Sequence, residues 1–420
     1  MYEIRQNETP ERAVLVGIDT GTYDAESSME ELRELTRTAG GEVAVVILQA
    51  RPSPDAALYL GHGKMEEIRD LFVDDADLLI VDDELSPSQQ RNMETFTGLR
   101  VIYRTTLILD IFAQRARTKE GKLQVELAQL NYRLPRIGGQ GTSLSRLGAG
   151  IGTRGPGESK LESDRRHIMR RIHAIRRELT EVDRRRTHAR RRREKTGVET
   201  VVLVGYTNAG KSSLLKALTE AEVLVEDQLF ATLDPTARAL KLPSGREVML
   251  IDTVGFIRRL PHELVNAFRS TLEEAAEADV ILNVCDASSP ECADHLKVTD
   301  QRLHELGAGA TPRVTVLNKC DKMEGADTLP VIGRAVCTSA TEGLGLTNLL
   351  HAVEAALPND RVRCRYLFPY KDLSPAAVVR EDGKVFSEEY TDEGLQMDAL
   401  SSVRIANKFE QYLIDREVTE

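Results

Sequence analysis

The octapeptide Gly205-Tyr206-Thr207-Asn208-Ala209-Gly210-Lys211-Ser212 constrains this chain more than any other segment. It has the form G-x-x-x-x-G-K-S and sits between an apolar run, 201–204, and a helical pattern, 214–218. A strand, a glycine-bounded turn and a helix in that order aim successive backbone N–H groups into one hollow, which suits phosphate oxygens. Lys211 adds positive charge for the outer phosphates, and the Ser212 hydroxyl can ligate Mg²⁺. An α/β unit running from Thr200 to about Leu357 is expected around it.

Three further pieces follow in chain order. The apolar strand pattern 248–251 ends in Asp252-Thr253-Val254-Gly255. A carboxylate at that strand end can hold Mg²⁺, usually through water, and the Gly255 N–H can sense a terminal phosphate. Ahead of it, Phe230-Ala231-Thr232-Leu233-Asp234 offers Thr232 as a second hydroxyl ligand. Alone, Thr232 would be an ordinary loop residue; its place between the phosphate loop and Asp252 changes that. Asn318-Lys319-Cys320-Asp321 follows the strand 314–317. Asp321 can accept two hydrogen bonds from guanine, whereas adenine would leave a buried carboxylate unpaired. The stem of Lys319 can cover the base, and Ser339-Ala340, after a strand at 331–336, can offer a backbone N–H to the guanine carbonyl. The ordered set points to a GTPase, with Lys211, Thr232 and Gly255 in the catalytic roles. Phosphoryl transfer of this kind needs alignment and charge neutralisation more than covalent chemistry. Phe256 stands where many GTPases carry a water-aligning Gln, so slow intrinsic hydrolysis is expected. Asn208 could help hold K⁺ against the phosphates; a structural loop Asn is the plainer alternative.

At 420 residues the chain exceeds one ordinary core. Aromatics are sparse at 5% and Trp is absent, so aliphatic residues must fill the cores. No apolar run approaches the ~20 residues of a membrane-spanning helix. The first residues lack a secretory-signal layout, so a cytoplasmic protein is expected. The five Cys are odd in number with no CxxC spacing, which suggests free thiols rather than disulfides or a metal site.

Residues 13–104 alternate apolar strands (14–18, 43–48, 78–81, 101–103) with helical patterns (27–38, 64–72, 87–96), which favours a parallel sheet. Leu123, Leu127, Leu130 and Leu134, and later Leu161, Ile168, Ile172, Ile175, Leu179 and Val182, recur at helical spacing with narrow seams. The two are expected to pair as an antiparallel hairpin. Its tip, 138–157, has eight Gly, no acid, and Arg146 and Arg154. Either it is a plain linker or its arginines and close-approaching Gly backbone touch phosphates. In the tail, Glu381-Asp382-Gly383 carries a hairpin-turn signal between 378–379 and 385–386. The expected domains are 1–112, 113–196, 197–358 and 359–420.

The net charge of −11 hides an asymmetry. Residues 165–195 carry +10, so the remainder sums to −21. A basic island on an acidic protein suits local contact with phosphates, although a solvated helix face would have the same composition.

Outside the phosphate-binding unit lie GHGKMEEI at 61–68, DDELSPSQQR at 82–91, LILDIF at 107–112, GKLQVELAQL at 121–130 and GIGTRGPGE at 150–158. With these motifs the chain resembles the HflX family of ribosome-associated GTPases over about residues 10–360. The resemblance implies a multidomain α/β protein: an N-terminal parallel-sheet α/β domain, a helical hairpin, a P-loop GTPase G domain and a small α+β C-terminal domain. It further implies binding to the large ribosomal subunit and its rRNA, and splitting of stalled or idle ribosomes. Expected partners are GTP and GDP, with Mg²⁺ and a possible K⁺ as cofactors, no DNA, and a monomeric state. Alternatives are a GTPase assisting ribosome assembly or RNA modification, and a switch in which the basic helix meets anionic lipid, with weak membrane association. ATP binding by the N-terminal domain at Gly61–Lys64 also stays open, a turn before a helix being the plainer reading.

Overall fold

A computed structural model describes residues 10–72, 75–139, 156–196, 198–219, 229–230, 232–233, 235–259, 274–323, 335–358 and 361–417. Four apolar runs separated by helices make the first sheet. Strands β1 (Arg12–Asp19), β2 (Glu42–Ala50), β3 (Leu78–Val81) and β4 (Arg100–Tyr103) are parallel, in the order β2-β1-β3-β4. Helices α1 (Ala25–Thr38), α2 (His62–Phe72) and α3 (Pro87–Thr97) connect them. Side chains start these helices. Asp24 accepts from Ser27 N, and Ser86 and Gln89 form a reciprocal capping box with Pro87 in the first turn. Gly98, at φ +74°, ends α3. Every residue of β3 is buried, as a parallel strand covered on both faces requires. The chain passes from β1 to β2 on one side, and β3 lies on the other. The carboxyl ends of β1 and β3 therefore frame a crevice at the point where strand order reverses.

Helix α4 (Arg104–Arg115) leads into α5 (Lys119–Arg133), which Thr118 caps, and α6 (Pro156–Thr196) returns alongside. Arg186 pairs with Glu120 and Arg171 with Glu126, so numbering falls on one helix as it rises on the other: the hairpin is antiparallel. Ile172 and Ile175 are buried in the seam, and Arg165, Arg166, Arg170, Arg176, Arg177, Arg184 and Arg185 are exposed around it. α5 buries Leu123, Val125 and Ala128 and leaves Leu127 and Leu130 half-buried, because it packs on α4 as well as on α6. Residues 134–139 form a 3-10 turn, and the rest of the expected tip loop up to 155, with Arg146 and Arg154, lies outside the described residues.

The second sheet has the order β10-β9-β8-β5-β7-β6. Its strands are β5 (Glu199–Gly205), β6 (Thr236–Lys241), β7 (Glu247–Asp252), β8 (Val280–Asp286), β9 (Arg313–Asn318) and β10 (Ala335–Cys337). β6 runs antiparallel to β7 and the other pairs are parallel. Helices α7 (Lys211–Thr219), α8 (Cys292–Glu305) and α9 (Leu346–Ala356) belong to this unit. The strand expected at 331–336 is described only from Ala335.

The tail forms a third, antiparallel sheet in the order β12-β13-β11-β14. Its elements are β11 (Arg361–Phe368), α10 (Ser374–Asp382), β12 (Lys384–Thr391), β13 (Gly394–Ser402), α11 (Val403–Lys408) and β14 (Leu413–Glu417). One expectation fails here. Val378 and Val379 lie in α10, so Glu381-Asp382-Gly383 ends a helix and makes no hairpin turn. Pro375 opens that helix, Ala376 and Val379 are buried, and Asp382 accepts from Ser402 N at 2.8 Å. The hairpin comes one strand later, at 392–393, where Thr391 pairs with Gly394. Among the described residues no helix is long and apolar enough to cross a membrane, and all five cysteines are free.

Candidate nucleotide-binding site

The phosphate loop leaves β5 at Gly205 and enters α7 at Lys211. Two of its glycines are forced by their surroundings. Gly205 has φ +147°, and a Cβ there would run into the carbonyl oxygen of Val284 on β8. Gly210 has φ +88°, and a Cβ there would run into Asn318 Nδ2. Asn318 is buried and ties loops together: its Nδ2 donates to Ala209 O at 2.9 Å, and its Oδ1 accepts from Ala340 N at 3.2 Å. The first residue of NKxD thus holds the phosphate loop against Ser339-Ala340. The Ser339 N–H is also engaged, on Leu344 O at 3.0 Å. Asp321 sits exposed in a short 3-10 turn, where a ligand can reach its carboxylate. Lys319, at φ +61°, pairs with Asp286 at 2.8 Å. Burial alone would raise Asp286, but its bonds from Lys319 and Ser288 bring it below the usual carboxylate range.

Three oxygens converge beside the loop. Ser212 Oγ donates to Asp252 Oδ2 at 2.6 Å and lies 2.7 Å from Thr232 Oγ1. Asp252 is 0% exposed, and its other oxygen, Oδ1, has no hydrogen-bond partner. Desolvation raises its pKa despite the opposing pull of Lys211 and the hydroxyls. An orphaned, buried carboxylate oxygen beside two hydroxyls is the all-oxygen donor set a small hard cation takes. Lys211 is buried as well; burial brings it down to about 8, and its Nζ donates to Tyr206 O at 2.8 Å and Gly205 O at 3.2 Å.

Gly255 is pressed against the loop. A Cβ on it would lie 2.8 Å from Thr207 Cα and 2.9 Å from Lys211 Nζ. The next residue pairs with the loop: Thr207 N donates to Phe256 O at 2.8 Å, and Phe256 N donates to Gly205 O at 3.0 Å. The Phe256 side chain is buried. Thr253 Oγ1 is spent on Leu203 O at 2.7 Å, and Val254 is buried. Asn208, exposed at φ +60°, stands at the lip of the loop.

Not every expected contact residue faces this site. Phe230 is buried edge-on against Phe112 of α4, with ring centroids 4.6 Å apart, and Leu233 is buried in the same core. Phe230 turns its side chain to the first domain because it is apolar and an apolar surface is at hand. Ala231 and Asp234 lie outside the described residues.

Sequence reasoning missed a set of residues around Tyr206. Its hydroxyl accepts from Arg258 N at 2.7 Å and donates to the Glu31 carboxylate of α1. Its ring stacks on His295 at 3.8 Å. Arg104, 3% exposed, pairs with Glu31 and with Asp82 and donates to Arg258 O at 3.3 Å. Burial raises Glu31, and Arg104 opposes that rise. A variable position of a phosphate-loop pattern carries no sign that its side chain reaches another domain. The available hint was the doublet Arg258-Arg259 directly after an apolar segment.

Family models match most of the chain: "GTP-binding GTPase N-terminal" at 26–113, "GTP-binding GTPase Middle Region" at 115–193, and "50S ribosome-binding GTPase" at 200–319. The chain is 50% identical to a GTPase HflX of Caldanaerobacter subterraneus, over 96% of this chain and 94% of that one. It is 44% identical to the GTPase HflX of Escherichia coli K12, covering 83% and 84% respectively. Among solved structures, a GTP-binding protein from Sulfolobus solfataricus in complex with GDP is 26% identical, with a TM-score of 0.44 over 82% of this chain and 98% of that one.

Proposed function

This chain belongs to the HflX GTPase family, and on that premise we propose that it binds the large ribosomal subunit and splits stalled or idle ribosomes while GTP is bound, hydrolysis resetting it. The chain is a GTP hydrolase. The observation that carries the ribosomal reading is α6. It buries Ile172 and Ile175 against its partner helix and leaves a sleeve of exposed arginines, which suits a phosphate-rich surface and not an acyl-chain interior. The family model "50S ribosome-binding GTPase" over 200–319 supports the same partner. Arg146 and Arg154 would extend that contact at the tip.

In the nucleotide site, the amides of 206–211 and Lys211 would hold the phosphates, with Asn318, Lys319, Asp321, Ser339 and Ala340 framing guanine. Asp321, being exposed, would be closed off by the base itself. Ser212 and Thr232, with Asp252 through water, would hold Mg²⁺, which when bound supplies charge neutralisation at the phosphates. Gly255 would sense the terminal phosphate, and Asn208 would face a K⁺. Phe256 offers no hydrogen bond to a water, so the ribosome or a cation must supply the missing order or charge.

The test is a sucrose-gradient splitting assay with GTP, GDP and a non-hydrolysable analogue, run on the full chain and on a 138–157 deletion. Free subunits should rise with GTP and with the analogue, and not with GDP or the deletion. Splitting with GTP but not with the analogue would overturn the assigned order of events. A preference for precursor particles over mature ribosomes would instead favour an assembly role.

A further inference from the structure

We propose that the crevice at the carboxyl ends of β1 and β3 is a guanidinium-binding site, that Arg259 is its resident ligand, and that this seating positions the segment following Gly255. The crevice offers what a planar guanidinium takes: two carboxylates and an aromatic face. Arg259 Nη1 lies 3.1 Å from Asp82 Oδ2, and its Nη2 pairs with Asp83. Its guanidinium carbon sits 4.8 Å above the ring of Tyr23. The acids are themselves built in. Asp82 is 1% exposed and accepts from Ser28 Oγ at 2.6 Å, and Asp83 accepts from Tyr59 Oη at 2.5 Å. Arg104 takes the other oxygen of Asp82 at 2.8 Å. One buried cation is therefore supplied by the first domain, and a second, partly exposed, arrives from the G domain.

A separate observation marks Arg259 as held. Its φ is +51°, a left-handed backbone that a long side chain adopts only where its surroundings impose it. The next link is short. Arg258 N is bonded to Tyr206 Oη, and Phe256 is paired with Gly205 and Thr207 of the phosphate loop. Gly255 leaves no room for a Cβ against Thr207 and Lys211, so moving 255–256 toward a terminal phosphate pulls on Arg259. Seating of the guanidinium and the state of the phosphate site are then coupled, and the coupling is reciprocal. This last step rests on the assignment of Gly255 as the phosphate sensor; the guanidinium site itself does not.

Methylguanidine is the probe, titrated calorimetrically into the full-length chain. Arg259→Ala should bind it saturably in the millimolar range, while wild type, whose crevice is filled, and Arg259→Ala/Asp83→Asn should not. In parallel, the ratio of dissociation constants for a non-hydrolysable GTP analogue and GDP should change about fivefold or more in Arg259→Ala. Saturating methylguanidine, which has no backbone link to Gly255, should leave the ratio shifted, and Arg259→Lys, which keeps charge and tether but loses the fork, should fall between. Folded Arg259→Ala with no saturable binding, or wild type binding the probe equally well, overturns the site. An unmoved nucleotide ratio overturns the positioning role. Methylguanidine binding alongside a general failure to bind guanine nucleotide leaves the crevice standing and removes the proposed function.

Discussion

Replacing Tyr206 by Phe tests whether the first domain is fastened to the phosphate loop. The hydroxyl makes two bonds, one to a buried carboxylate on α1 and one from the Arg258 amide. A hydrogen bond to a charged group is worth about 1.5–3 kcal/mol, and an abandoned buried donor costs about 1–3 kcal/mol. Glu31 keeps Arg104 in the variant, which limits the loss on that side. Tyr206→Phe should therefore cost about 2–4 kcal/mol in urea unfolding. Stability alone would not identify the partner, so the assay is a double-mutant cycle with Glu31→Ala. The loss in the double mutant should fall short of the sum of the two single losses by about 1.5–3 kcal/mol, because the second substitution finds the bond already gone. Losses that add within about 0.5 kcal/mol would refute the link between Tyr206 and Glu31. The ring is retained, so stacking on His295 is not disturbed.

Lys211 at about 8, against an ordinary lysine at 10.5, makes its protonated form costly in the folded chain. Stability should rise with pH between those values, and GDP binding at pH 8.5, where roughly three-quarters of Lys211 is neutral, should take up protons. Calorimetry in buffers of different ionisation enthalpy reads that uptake; none would contradict the assignment. Gly205→Ala must push a methyl into the Val284 carbonyl and should lose more than about 4 kcal/mol, whereas Gly245→Ala, at φ +88° with open space around it, should lose only about 1–2 kcal/mol. Similar denaturation midpoints for the two would break that contrast. Ser212→Ala should abolish the Mg²⁺ dependence of nucleotide affinity, compared by fluorescent-GDP titration in Mg²⁺ and in EDTA. If Asn208 faces a cation, hydrolysis should be faster in K⁺ than in Na⁺, and Asn208→Ala should remove the difference.

Much of this architecture was legible residue by residue. The alternation of short apolar runs with helical patterns located β1 to β4, because strand and helix periods differ and each seam must be buried. Capping residues such as Ser86 and Asp24 act within one turn, so they too can be read locally. The phosphate loop, Asp252 and Asn318 were recognisable because phosphate and guanine demand particular chemistry at fixed spacing along the chain. The misplaced hairpin at 381–383 shows the limit: Glu-Asp-Gly ends a helix as readily as it makes a turn, and only burial of Ala376 and Val379 chose the helix.

Other features depend on residues far apart in the chain. Glu31, Asp82, Arg104, Tyr206 and Arg259 come from five separate elements and loops, and nothing in their spacing brings them together. Burial does so, since a charge removed from water must find its counter-charge wherever the fold has placed one. Phe230 makes the same point with an apolar side chain: its neighbours in sequence suggested a nucleotide contact, and the nearest apolar surface took it to Phe112 instead. Chemistry written in a run of adjacent residues can be read before folding. Chemistry assembled by desolvation across domains exists only once they have packed.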